Sequence, residues 1–62
     1  MKKKTYYIKD KKIYRIDENS RGEFLYEVDK DDDIICICIS AGDKIADLKK
    51  NYKGFKTLKE AL

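Results

Sequence analysis

The segment that most restricts how this chain can fold is Ile34-Ile35-Cys36-Ile37-Cys38-Ile39-Ser40, entered through the acidic run Asp29-Lys30-Asp31-Asp32-Asp33. It is apolar on both alternating faces. Ile35, Ile37 and Ile39 point one way, and Ile34, Cys36 and Cys38 the other. An unbroken β-branched run of this kind calls for cover on both sides, so it predicts a central strand with neighbours on each flank.

Three shorter β-patterned segments precede it. Thr5-Tyr6-Tyr7-Ile8 and Ile13-Tyr14-Arg15-Ile16 are separated by the polar break Lys9–Lys12, which lacks the Asn-Gly or Asp-Gly of a two-residue turn. Asp17–Gly22 is dense in turn formers, and Glu23-Phe24-Leu25-Tyr26-Glu27-Val28 alternates cleanly. Four strands joined by short links make an antiparallel meander. Sorted by parity and hydrophobicity, one face collects Tyr6, Ile8, Tyr14, Ile16, Phe24, Tyr26, Val28, Ile35, Ile37 and Ile39, dense enough to be the core. The opposite face carries Tyr7, Ile13, Arg15, Leu25, Glu27, Cys36 and Cys38, with Lys9 and Lys11 at its margin. One helix can cover only one face, so this second face is expected to serve a partner or a dimer contact.

After Ser40 the period changes. Ser40 with Asp43 resembles a capping box, Ala41, Ile45, Leu48 and Tyr52 share a helical stripe, and Gly54 is placed to stop the helix. These signals predict a helix over 42–52. Phe55 should dock back on the core, and Thr57-Leu58-Lys59-Glu60 caps a terminal helical turn over 58–62. The expected architecture is α+β: a four-stranded antiparallel β-meander followed by one helix and a short terminal helical turn. Sixty-two residues make a single domain, with 1–4 as a basic flexible tail. A chain of this size buries only about 60% of its unfolded surface, and oligomerisation is a common remedy.

Charge is strongly partitioned: +6 over residues 1–16, −6 over 17–33 and +3 over 34–62. Such polarity presents patches that steer partners. Cys36 and Cys38 lie on one strand face with Cα atoms ~6.5–7 Å apart, at the limit of disulfide reach, and read as reduced small hydrophobes in a reducing cytoplasm. The chain has no histidine, so no zinc set can be assembled around them. No apolar run approaches the ~18 residues of a membrane span, and the residues after the lysine-rich start are not a signal-peptide core. A cytoplasmic protein without a membrane association is expected.

Catalytic signatures are missing. Asp29-Lys30-Asp31-Asp32-Asp33 opens like a calcium loop, but Ile34 and Ser40 stand where that loop needs glycine and a bidentate glutamate. Ser20 and Ser40 have no histidine to activate them. No catalytic residue, metal ligand or cofactor is therefore assigned. Metal-assisted nicking of DNA through the acidic turn with Asp17 or Glu18 is the weakest alternative kept.

Basic residues interleaved with tyrosines carry the functional reading. Lysines track a phosphate backbone and aromatics stack on unpaired bases, which suits single-stranded nucleic acid. In this reading Lys9, Lys11, Lys12, Lys49, Lys50 and Lys53 neutralise phosphates while Tyr7 and Arg15 stack.

Lys53-Gly54-Phe55-Lys56-Thr57-Leu58-Lys59-Glu60, following a run of strands, resembles the end of the positive-cofactor-four-like single-strand-binding domains. Those are dimeric four-stranded antiparallel sheets followed by a helix, and they bind DNA or RNA on the sheet. The helix expected at 42–52 departs from that family. The same eight residues also resemble the strand-to-helix corner of phage integrase arm-binding domains. In scale and charge the chain is similar to phage or mobile-element accessory proteins, some of which act against host CRISPR nucleases. What these resemblances imply is a small, homodimeric or higher-order nucleic-acid-binding module, with single-stranded DNA favoured. A host defence protein is the other partner they imply. The alternative is a protein-docking inhibitor whose acidic residues Asp17, Glu18, Glu23, Glu27, Asp29, Asp31, Asp32 and Asp33 mimic phosphates.

Overall fold

A computed structural model of the chain describes residues 3–62. Met1 and Lys2 of the expected basic tail lie outside the described residues, whereas Lys3 and Lys4 already belong to the first strand. The elements are β1 (Lys3–Lys9), β2 (Lys12–Asn19), β3 (Gly22–Val28), β4 (Ile34–Cys38), α1 (Gly42–Asn51) and α2 (Leu58–Ala61). The strands form one antiparallel sheet in the order β1-β2-β3-β4, the meander expected from the spacing of the turn formers.

Turn geometry sets the register. Asp10 and Lys11 both adopt positive φ (52° and 65°), so β1 and β2 are joined by a two-residue turn despite lacking glycine. A turn of that length pairs each odd-numbered residue of β1 with an even-numbered residue of β2: Tyr7 with Tyr14, and Thr5 with Ile16. Tyr14 and Ile16 therefore share a face with Tyr7, and Ile13 and Arg15 share the other with Tyr6 and Ile8. This corrects the expected sorting, in which β2 was out of phase by one residue. The β2–β3 turn uses Gly22 at φ 128°, with Asn19 Oδ1 accepting from the Arg21 N–H at 2.8 Å.

The core lies under α1. Tyr7, Ile16 and Leu25 from the sheet pack with Ala41, Ile45 and Leu48, and Tyr14, Cys38 and Tyr52 close around them. Ile16 and Leu25 are fully buried, each contributing about 1.5–3 kcal/mol. The predicted helix stripe is thus the one that docks. It docks, however, on the face expected to be free, and Phe24, Ile35, Ile37 and Ile39 of the expected core face are exposed.

Ile34–Ser40 is not an interior strand. β4 ends at Cys38 and forms the outer edge of the sheet, with Ile34, Ile35, Ile37 and Ile39 at 48, 60, 63 and 87% exposure. A β-branched run states that a segment will be extended, but it does not supply the neighbour that would enclose it. Only β3 is available to pair with β4, through a register shift between Glu27 and Val28 that ends the ladder beside the acidic turn.

Local details of the C-terminal third also differ. The N-cap of α1 is Ala41, with no side-chain hydrogen bond, because Ser40 is turned to φ 54°. The helix leaves through an extended Tyr52, so Gly54 is not its stop. Gly54 is needed for space: a Cβ there would sit 2.8 Å from Thr5 Cγ2 and 3.2 Å from the Tyr7 hydroxyl. That close crossing brings Phe55 alongside β1, where Tyr6 and Phe55 exchange backbone hydrogen bonds of 2.8 and 2.9 Å. Thr57 caps α2 as expected, its hydroxyl accepting from the Glu60 N–H at 3.2 Å.

Candidate functional site

Arg15 is the most constrained charge in the molecule. It projects from the middle of β2 onto the sheet face away from α1, where it is 8% exposed. Asp17, two residues on and on the same face, sets Oδ1 2.9 Å from Arg15 Nε, and Asp17 Oδ2 accepts from Nη2 at 3.3 Å. The Nε contact is one of charge without hydrogen-bond alignment. Asp32, held at φ 65° in the β3–β4 turn, accepts from Nη1 at 2.9 Å and from the Tyr6 hydroxyl at 2.8 Å. The Tyr26 ring lies 5.3 Å from the guanidinium. Burial opposes the charge, yet the hydrogen bond to Asp32 and the two carboxylates outweigh it and raise the Arg15 pKa. Burial, reinforced by Asp32, raises that of Tyr6 as well.

Two lysines are committed to carboxylates. Lys9 Nζ lies 3.2 Å from Asp47 and 5.6 Å from the centre of the Tyr52 ring. The hydrogen bond to Asp47 raises the Lys9 pKa, and hydrogen bonds from Asn51 and Lys9 lower that of Asp47. Lys49 bridges Glu18, at 3.1 Å, and Glu23, whose hydrogen bond raises the lysine pKa. These pairs fasten α1 across the sheet, to β1 near one end and to the β2–β3 hairpin near the other. Lys11, Lys12, Lys50 and Lys53 are exposed and take part in no ion pair among the described residues. Lys53 Nζ sits 5.3 Å from the centre of the Phe55 ring.

The structure thus divides the eight residues to which nucleic-acid contact was assigned. Lys11 and Lys12 flank the β1–β2 turn beside Lys9, which is tied to Asp47, while Lys50 is exposed on α1 and Lys53 follows it against the Phe55 ring. Lys49 is bound up on the far side of α1. Tyr7 and Arg15 are the corrections. Tyr7, 5% exposed, is a core side chain beneath α1 and Gly54 whose pKa is raised by burial, and Arg15 is enclosed by its carboxylates. Neither offers a ring or guanidinium face to a base. Their expected exposure followed from the misphased β2 and from assigning α1 to the wrong face.

The enclosing groups Tyr6, Asp17, Tyr26 and Asp32 were missed as a set. Asp17 could have been found, since an arginine and an aspartate two apart on a strand share a face. Asp32 could not, because it reaches Arg15 through the conformation of a turn. In the same turn the carboxylates of Asp29, Asp31 and Asp33 approach within 4.8 Å of one another. Asp29 Oδ1 accepts from the N–H groups of Asp31 and Asp33 at 2.8 and 3.0 Å, so the cluster shapes the turn. An apolar groove runs between the edge of the sheet and the start of α1, lined by Phe24, Leu25, Ile37, Ile39, Ala41 and Ile45. No helix among the described residues is long and apolar enough to cross a membrane.

Compared with known proteins, the chain matches no family model, no curated protein and no solved structure. The resemblances drawn from Lys53–Glu60 rest on those residues and the run of strands before them.

Proposed function

We propose that the chain is a non-enzymatic nucleic-acid-binding module that grips phosphates with the lysines left over from its internal ion pairs. The observation that carries this reading is an imbalance in those pairs. Over residues 3–62 they engage three cations, Lys9, Arg15 and Lys49, but five carboxylates: Asp17, Glu18, Glu23, Asp32 and Asp47. Eleven cations and seven carboxylates then stand outside any such pair, so the charge left free for a partner is predominantly basic.

Lys11, Lys12, Lys50 and Lys53 are the phosphate contacts, and Lys9 and Lys49 are structural. With Tyr7 and Arg15 enclosed, binding rests on charge, and single strands lose their special claim over duplexes. The phosphate-mimic alternative is weakened by the same pairs, since Asp17, Glu18, Glu23 and Asp32 are already taken. A phage or mobile-element setting, with action against host defence, remains the context suggested by size and charge.

Fluorescence anisotropy with labelled single-stranded and duplex DNA tests this. About three to four contacts give a log–log salt slope near −3 for duplex and slightly shallower for single strands. The pair Lys50→Glu and Lys53→Glu should remove roughly two units of slope, while Lys9→Gln leaves it nearly intact. No binding at about 50 mM salt, or binding indifferent to salt, refutes the reading.

A further inference from the structure

We propose that the bare edge of β4 pairs antiparallel with the β4 of a second copy of this chain, about a twofold axis at Cys36, joining two sheets into one of eight strands. The argument starts from how differently the fold treats its two edges. β1 is closed on its outer side by Phe55 and carries Lys3, Lys4 and Lys9. β4 lacks the chemical devices that keep an edge solitary: Ile34–Cys38 contains no lysine, no proline and no charge, and no described residue covers it, so its short length and the extra residue Ile35 at the register shift are its only protection. It presents unpaired backbone donors and acceptors, with exposed Ile34 and Ile37 on the face of Tyr26 and Val28 and exposed Cys36 on the other.

Three features select a second copy as the occupant. A dyad at Cys36 pairs all five residues of β4, setting Ile35 against the partner's Ile37 on one face and Cys36 against its own counterpart on the other. The exposed isoleucines with Phe24 offer at most on the order of 1,000 Å² over two copies, only part of which strand pairing covers, so the pair belongs to the weak class of interface and calls for a high test concentration. Charge then chooses the direction. In a parallel pair the acidic turns Asp29–Asp33 would lie side by side. In the antiparallel pair each turn instead faces the partner's Ser40–Lys44 end. There Asp43 and Lys44 cancel, and the α1 N-terminus, which has no side-chain cap, presents its positive dipole end.

The register gives the proposal a covalent readout. Directly opposed residues of an antiparallel pair have Cα atoms about 4.5–5.5 Å apart, within disulfide reach. Cys36 is exposed, whereas Cys38 packs against the core. Diamide, which accepts the two electrons and two protons released by two thiols, should therefore link Cys36 to its counterpart. The wild type should sediment at about twice the 7.3 kDa chain mass at ~100 μM and give a diamide-linked dimer. Cys36→Ser should abolish that link and Cys38→Ser retain it. Ile37→Lys should sediment as a monomer with an unchanged circular-dichroism spectrum; if it fails to fold, Ile35→Lys takes its place. A wild-type monomer at ~100 μM, a dimer indifferent to both lysine substitutions, or a link through Cys38 alone would overturn the proposal. So would saturable binding of an unrelated β-strand peptide to a wild-type monomer, which makes the edge a docking site for other chains.

Discussion

Asp32→Gly sets two effects of the β3–β4 turn against each other. Asp32 occupies the left-handed region at φ 65°, a conformation that costs a residue with a Cβ about 1 kcal/mol relative to glycine. Substitution therefore relaxes the backbone by roughly that amount. It also removes the acceptor for Arg15 Nη1 at 2.9 Å and for the Tyr6 hydroxyl at 2.8 Å. A hydrogen bond to a charged group contributes about 1.5–3 kcal/mol; since Asp32 is 32% exposed, the lower end applies. The Tyr6 bond adds about 1 kcal/mol. The balance is a loss of roughly 1.5–2 kcal/mol, or a fall in Tm of about 6–15 °C for a domain of this length. Thermal unfolding followed by circular dichroism measures it. In an Arg15→Met background the charge that Asp32 neutralises is gone, and the same glycine substitution should be neutral or stabilising. A Tm for Asp32→Gly at or above that of the wild type would show that Asp32 does not hold Arg15, and the account of the enclosed arginine would fail with it.

The β1–β2 turn places two non-glycine residues at positive φ, so Asp10→Asn with Lys11→Gly should stabilise the protein by about 1 kcal/mol, read as a shift in the urea midpoint. Gly54→Ala should destabilise it by about 1–3 kcal/mol, because the new methyl must displace Thr5 and the Tyr7 ring. The pKa values of Tyr6, Tyr7, Lys9 and Lys49 are all raised on folding, so the stability they confer is complete below the ordinary tyrosine and lysine values. That stability should fall as pH climbs beyond about 10, whereas Tyr6→Phe should flatten the decline.

The meander, the helix stripe of Ala41, Ile45, Leu48 and Tyr52, and the cap at Thr57 were legible because each depends on residues adjacent in sequence. The phase of β2 was not, because it turns on whether Asp10-Lys11 tolerates the left-handed geometry that asparagine and glycine usually supply. One residue of phase moved Arg15 from an open surface into a nest of carboxylates, and Tyr7, the other residue expected to stack on bases, is buried because α1 docks on its face. Ile34–Cys38 was misread for a different reason. Its composition fits an enclosed strand, and enclosure within one chain needs a neighbour that the order β1-β2-β3-β4 does not supply. The sequence pattern places the lysines in solvent, but Lys49 could be told from Lys50 only once Glu18 and Glu23 were brought beneath α1.

Phe55 bolts one flank of the sheet and leaves the other unbolted. A ribbon with a single adhesive side stops growing once that side is used, and the product is finite. In the proposed dimer, stripping Phe55 from β1 would leave only Lys3, Lys4 and Lys9 to keep a second neighbour off that side. Residues 53–62, which take no part in the core cluster, would in that dimer limit association to a pair.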